Sequence, residues 1–206
     1  MIKHSFLFFA SIVGLVSCDA SRDICDNVIN IFNKSNKSAI DIPVIPYQNN
    51  EKLEKWICPT CSPEEQFVLK EVQKKTKIID KNALATILGN IKQESNFISN
   101  ICEGGARISY NRCHRGGYGI IQWTSESRYV GLGQFANKWK CDPSKLICQT
   151  RYMVNEPVFV KTLPTFQGNG RSVHYYMGAA YRWLGWGVEG YRYRYSYDYT
   201  KKLQLS

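Results

Sequence analysis

Glu94 is the residue of this sequence whose type and spacing most directly suggest chemistry. It follows Leu84, Ile87, Leu88 and Ile91, four apolar residues spaced to share one face of a helix. Seven residues beyond Ile87 is about 700° of helical rotation, so Glu94 lies over Ile87 on the side turned to the core. Desolvation there disfavours a charged carboxyl and raises its pKa toward neutrality, which would make Glu94 a proton donor. A glutamate that hydrogen-bonds a neighbouring loop is the other reading, and position alone leaves both open.

The cysteines are the second set of reactive groups. Cys58-Pro-Thr-Cys61 with Cys102, Cys113 and His114 has the composition of a zinc site, but no second Cys-x-x-Cys follows. Structural bridges between near neighbours fit the spacing better: Cys58 with Cys61, Cys102 with Cys113, Cys141 with Cys148, and Cys18 with Cys25. Eight cysteines so arranged indicate an oxidising compartment. No metal and no organic cofactor is expected.

The elements that must position Glu94 can be traced from their punctuation. Ser62-Pro63-Glu64-Glu65 is a capping box with proline at the first helical position, so the main domain is expected to begin at residue 63. Asp80 caps the helix that ends in Glu94. A glycine-rich stretch follows, with Ile108–Tyr110 and Tyr118–Trp123 as strand candidates, which predicts a small β-hairpin beside that helix. Closure of this excursion by Cys102 and Cys113 would stiffen a loop with few apolar residues. Residues 125–139, 149–155 and 173–183 have further helical patterning. The expected fold class is α+β, mostly α.

From Tyr191 to Tyr199 tyrosine alternates with polar residues. As a strand the segment would present five tyrosines on one face and Arg192 and Arg194 on the other; as a helix it would pack against Trp183 and Trp186.

Residues 1–18 pair a basic start with an apolar run from Phe6 to Val16, a secretory signal pattern too short to span a bilayer. Cleavage after Ala20, lipid attachment at Cys18 and an uncleaved apolar start all fit. Each puts the chain outside the cytosol or at a membrane. Residues 19–62 form a cysteine-containing segment or linker with 5 basic and 6 acidic residues, whereas residues 63–206 carry 21 basic and 11 acidic. The second part therefore seeks an anionic partner, and for an exported chain a wall polymer fits better than nucleic acid.

The block Ala85-Thr-Ile-Leu-Gly89-Asn90-Ile-Lys-Gln-Glu94-Ser95-Asn-Phe97, followed by Gly117-Tyr-Gly119-Ile-Ile-Gln122-Trp123-Thr124 and then Arg128, Leu132 and Phe135, resembles the phage tail lysozyme family within the lysozyme and lytic transglycosylase superfamily. Gln149–Glu156 resembles the family's helix ending in Glu-Leu, with Pro157 in place of the leucine. Gly178-Ala-Ala-Tyr181 resembles its later alanine-rich helix, with Arg182 where transglycosylases often have asparagine. The resemblance covers roughly residues 65–200.

It implies a lysozyme-like domain that cleaves the glycan strand of peptidoglycan, with Glu94 as catalytic acid. Hydrolysis needs a second carboxyl, about 5–5.5 Å away as nucleophile or about 6.5–9.5 Å away as base. Glu103 and Glu126 are the candidates, Glu103 in the glycine-rich loop being preferred. A lytic transglycosylase would need Glu94 alone, since the muramoyl C6 hydroxyl attacks and an anhydro sugar forms. The resemblance assigns Ser95 and Gln122 to the substrate cleft, with Tyr118 or Trp123 packing on a pyranose face, unless Trp123 simply fills the core. A monomer is expected. A noncatalytic wall-binding module and a virion or envelope component of the same fold are the rival functions.

Overall fold

The computed structural model describes residues 56–114 and 116–206. The signal pattern, the linker up to residue 55 and the Cys18–Cys25 pairing lie outside the described residues. In chain order these form β1 (Trp56–Ile57), α1 (Pro63–Thr76), α2 (Lys81–Ser95), a 3-10 turn (Tyr110–Arg112), α3 (Glu126–Trp139), α4 (Leu146–Asn155), α5 (Pro157–Phe166), α6 (Val173–Leu184), α7 (Arg192–Lys202) and β2 (Gln204–Leu205). The described residues are mostly helical with one small antiparallel sheet.

The two helix starts predicted from capping chemistry form as expected. The Ser62 hydroxyl accepts the Glu65 N–H at 3.2 Å while the Glu65 carboxylate accepts the Ser62 N–H at 2.7 Å, so two orphan donors are satisfied reciprocally. Asp80 accepts the N–H groups of Asn82 and Ala83 at 2.8 and 3.0 Å. Its second oxygen accepts the Gly170 N–H at 2.6 Å, which ties the start of α2 to the loop before α6.

Every residue of α2 from Ala83 to Ile91 is buried, so this helix has no wet face along its middle and is the centre of the domain. Its polar members are satisfied internally: Thr86 donates to the Asn82 carbonyl at 2.7 Å and Asn90 to the Thr86 carbonyl at 2.8 Å. Its principal cover is α7, then α6. The α2–α7 approach is close enough to require Gly89, where a Cβ would stand 2.4 Å from Ser196 Oγ and 2.5 Å from its backbone nitrogen.

Three features depart from the sequence reading. The sheet joins the two ends of the described domain, Trp56 opposite Leu205 and Ile57 opposite Gln204. Residues 56–61 therefore belong to the helical body. Gln73 fixes them by accepting the Trp56 N–H at 3.0 Å and donating to the Trp56 carbonyl at 2.9 Å, and the Trp56 indole donates to Ile79 at 2.8 Å. Among its described residues the glycine-rich stretch forms no ladder; it contains two isolated bridges, Ile101 with Arg107 and Cys102 with Tyr118. Of the two readings of the tyrosine-rich tail the helical one forms: it is α7, because Arg192, Ser196 and Tyr199, at helical spacing, bury against the domain. Helix α5 was not predicted from the sequence; it starts on Pro157 and carries Pro164 inside.

Among the described residues three disulfides join Cys58 to Cys61, Cys102 to Cys113 and Cys141 to Cys148. The cysteines weighed as zinc ligands are thus bonded to one another and offer no thiolate. Among the described residues no helix is long and apolar enough to cross a membrane.

Candidate active site

Glu94 lies one residue before the end of α2. The helix stops because Asn96 turns left-handed (φ 51°), its N–H closing on the Lys92 carbonyl at 2.9 Å. Asparagine tolerates that conformation because its short amide can bond locally. Phe97 follows at φ 64°, unusual for a bulky side chain, and is held there by burial and edge contact with Tyr199 at 6.4 Å. Gln122 is a third left-handed residue, at φ 50°. Backbone strain of this kind persists only where the surroundings over-determine it, and here it brackets the helix end and the loop bound to it.

That loop is attached by Ser95. Its hydroxyl donates to the Ile120 carbonyl at 2.7 Å, so Ser95 rivets the end of α2 to the Gly119–Trp123 turn and makes no bond to Glu94. Gln149, wholly buried on α4, holds the same loop from behind. Its carbonyl accepts the Ile120 N–H at 2.9 Å, and its amide donates to Ser99 and Pro143, each at 2.7 Å. Gly119 (φ 75°) is required there, since a Cβ would meet the Gln149 amide at 2.5 Å.

The carboxyl of Glu94 is not left in an apolar pocket, as the stripe on α2 suggests. It is partly exposed, with 16% of its side chain accessible, and Arg192 at the start of α7 donates Nη2 to its Oε1 at 2.5 Å. Arg192 is itself held on two further sides. Its Nη1 donates to Asn90 Oδ1 at 3.1 Å, and its guanidinium lies 4.3 Å from the Trp186 ring centroid. Trp186 meets Tyr181 edge-on at 5.2 Å, and Tyr181 is exposed. Gln93 anchors the loop that carries Trp186 by accepting the Tyr191 N–H at 2.9 Å. Among the described residues no donor reaches the second oxygen of Glu94.

Sequence reasoning missed Arg192, Asn90 and Trp186 as parts of this site. The period-two appearance of residues 191–199 hid a helical signal: Arg192, Ser196 and Tyr199 recur at positions i, i+4 and i+7.

The other residues named from the sequence are dispersed. Tyr118 and Trp123 are both 0% exposed, which withdraws their rings from any sugar face. The Tyr118 hydroxyl donates to Ile108 at 3.1 Å and its ring meets Tyr110 and Tyr129 edge-on. Trp123 donates its indole N–H to the buried Glu156 at 3.1 Å. Gln122 is partly exposed and folds back on its own turn, donating to the Gly119 carbonyl at 2.9 Å.

Glu103 is exposed and paired with Gly117, accepting its N–H at 3.1 Å while the Glu103 N–H donates to the Gly117 carbonyl at 2.8 Å. Glu126 lines a cleft of about 490 Å³ with Tyr110, His114, Thr124 and Tyr129. Burial pushes the Tyr129 phenol up to about 12, with Tyr110 and Tyr118 adding to the rise, so the tyrosine cluster under this cleft stays neutral over the ordinary pH range.

A family model described as phage tail lysozyme matches residues 72–177, from the end of α1 into α6, including Glu94, the loop to Trp123 and Glu156. Arg192 and Trp186 lie beyond the matched residues. No curated protein and no solved structure matches the chain.

Proposed function

This chain belongs to the phage tail lysozyme family, and on that premise we propose that it cleaves the glycan strand of peptidoglycan with Glu94 as the acid. The observation that carries the reading is the setting of that carboxyl. It stands at the end of the buried central helix, one oxygen held by Arg192 and the other without a partner among the described residues. A glycosidic oxygen placed at the free oxygen would take a proton from Glu94 as the bond to the anomeric carbon breaks and positive charge builds on the sugar, which requires Glu94 to take up that proton on its open oxygen, beside the Arg192 cation, before the step.

The remaining chemistry takes one of two courses. If the muramoyl C6 hydroxyl attacks the anomeric carbon, Glu94 recovers a proton from it and an anhydro end forms, with no second carboxyl needed. If water is the nucleophile, Glu103 is the preferred second carboxylate, and it would have to leave the Gly117 N–H to serve. Gln122, the partly exposed member of the cleft residues named from the sequence, would turn its amide to the sugar substituents. Substrate anionicity agrees with the 21 basic and 11 acidic residues of positions 63–206. The three disulfides fit an exported protein.

The test is digestion of peptidoglycan by the wild-type chain and by Glu94→Gln, with the released muropeptides weighed by mass spectrometry. The substitution is expected to lower the rate roughly 10²- to 10⁴-fold, the usual contribution of a positioned acid. Anhydro ends would assign transglycosylation and reducing ends hydrolysis. A wild-type chain that pellets with the wall and releases nothing would make this a binding module.

A further inference from the structure

We infer that Arg192 is a positioning residue for Glu94, and that Trp186 and Asn90 hold it in place; the inference rests on the reading of Glu94 as the acid. A glutamate at a helix end has three side-chain torsions, and an acid must present its proton along one direction. Arg192 removes that freedom by taking Oε1 at 2.5 Å, which leaves Oε2 without a donor among the described residues. A flexible arginine would offer no such control, but this one is 5% exposed at its side chain and is fixed on three sides: by Glu94, by Asn90 Oδ1 at 3.1 Å, and by the Trp186 ring at 4.3 Å.

The support continues outward from the arginine. Asn90 is oriented by its own donations to the Thr86 carbonyl at 2.8 Å and to Met177 Sδ at 3.4 Å, so its oxygen must face Arg192. Trp186 belongs to the loop from Gly185 to Tyr191, whose far end is bonded to Gln93, the residue next to Glu94. The acid, the cation that aims it and the ring that backs the cation are therefore mechanically connected. The buried Arg192 Nε, which has no hydrogen-bond partner, indicates that the guanidinium is oriented for Glu94 and Asn90 at the expense of its own satisfaction.

The experiment measures initial rates on solubilised glycan strands for wild type, Glu94→Gln, Arg192→Ala, Arg192→Lys and Trp186→Leu, with thermal midpoints for each. Arg192→Ala is expected to lose roughly 10- to 100-fold in kcat, the scale of a misplaced catalytic group, with KM nearly unchanged. Guanidinium added below denaturing concentrations is expected to restore part of that loss, and the lysine variant to fall between alanine and wild type. Trp186→Leu covers the case in which the alanine variant fails to fold. This residue is only half-buried, and its variant is expected to lose kcat in the same direction while keeping its thermal midpoint.

Wild-type kcat in Arg192→Ala and Trp186→Leu, beside an inactive Glu94→Gln, would overturn the positioning role and leave the acid assignment standing. A loss confined to KM would make Arg192 a substrate contact instead. A loss that tracks the folded fraction, with no recovery in guanidinium, would make the pair structural. If Glu94→Gln turned over like wild type, the acid assignment and the positioning role would fall together.

Discussion

At the scale of single residues, two glutamates sit at helix ends and meet arginines, with different consequences. Glu94 keeps one oxygen open. Glu156 keeps none: it is 0% exposed and accepts from Arg128 at 2.6 and 2.9 Å, from the Trp123 indole at 3.1 Å and from the Trp183 indole at 2.9 Å. Four donors from three parts of the chain converge on it, which makes it the knot of the fold behind the site. Removing it in Glu156→Ala would strand Arg128 and both indoles, and is expected to lower stability by about 3–5 kcal/mol, measured by urea unfolding. An unchanged midpoint would show that the knot holds nothing. Both glutamates stand out in the sequence, Glu94 by the apolar stripe and Glu156 by the resemblance. Their arginine partners differ in how far they can be read. Arg128 lies inside the recognisable block, whereas Arg192 reaches Glu94 from 98 positions along the chain, a contact that no local pattern encodes.

Among elements, the α2–α7 contact decides the most, because α7 both seals the central helix and delivers Arg192. Gly89→Ala tests it directly. The added methyl would meet the Ser196 backbone nitrogen at 2.5 Å and Cα at 2.8 Å as well as Oγ, so turning the side chain gives no relief, α7 must move, and a loss of about 1–3 kcal/mol is expected by thermal unfolding. Activity should fall further than the folded fraction, since Arg192 moves with α7; equal activity per folded molecule would contradict that coupling. Helices with chemical punctuation could be read from the sequence, α1 from its capping box and α2 from Asp80. Helix α5 could not, because Pro157, Pro164 and the β-branched residues between them conceal a segment that is helical through its packing on α6. Helix α7 was obscured by tyrosines whose even spacing imitates a strand, while its true period appears only in what it buries.

For the molecule as a whole, ionisation sets an acid and an alkaline limit. Burial alone would push Glu65 up, but hydrogen bonds from Tyr199, the Ser62 N–H and Lys92 bring it below the usual glutamate range. A carboxylate so lowered stabilises the fold above its unfolded pKa, and that contribution fades as pH falls through the folded one. At the other end, burial pushes Tyr129 and Tyr176 up to about 12. Their neutral phenols support the fold fully below about 10, and the support is lost as pH rises from there to about 12. Circular dichroism against pH is expected to show a plateau between these limits, with Glu65→Gln reducing the slope of the acid edge. An acid edge identical in that variant would count against the assignment.

The order in which the contacts can form follows from their separations. The three bridges span 3, 11 and 7 positions, whereas Tyr199 meets Glu65 across 134 and Arg192 meets Glu94 across 98. The bridges between near neighbours can therefore close without α7, whereas the contact of Arg192 with Glu94 forms only when that last helix docks. Sealed bridges do not certify a finished fold, and a preparation judged by its thiols alone would count molecules whose last helix has yet to dock.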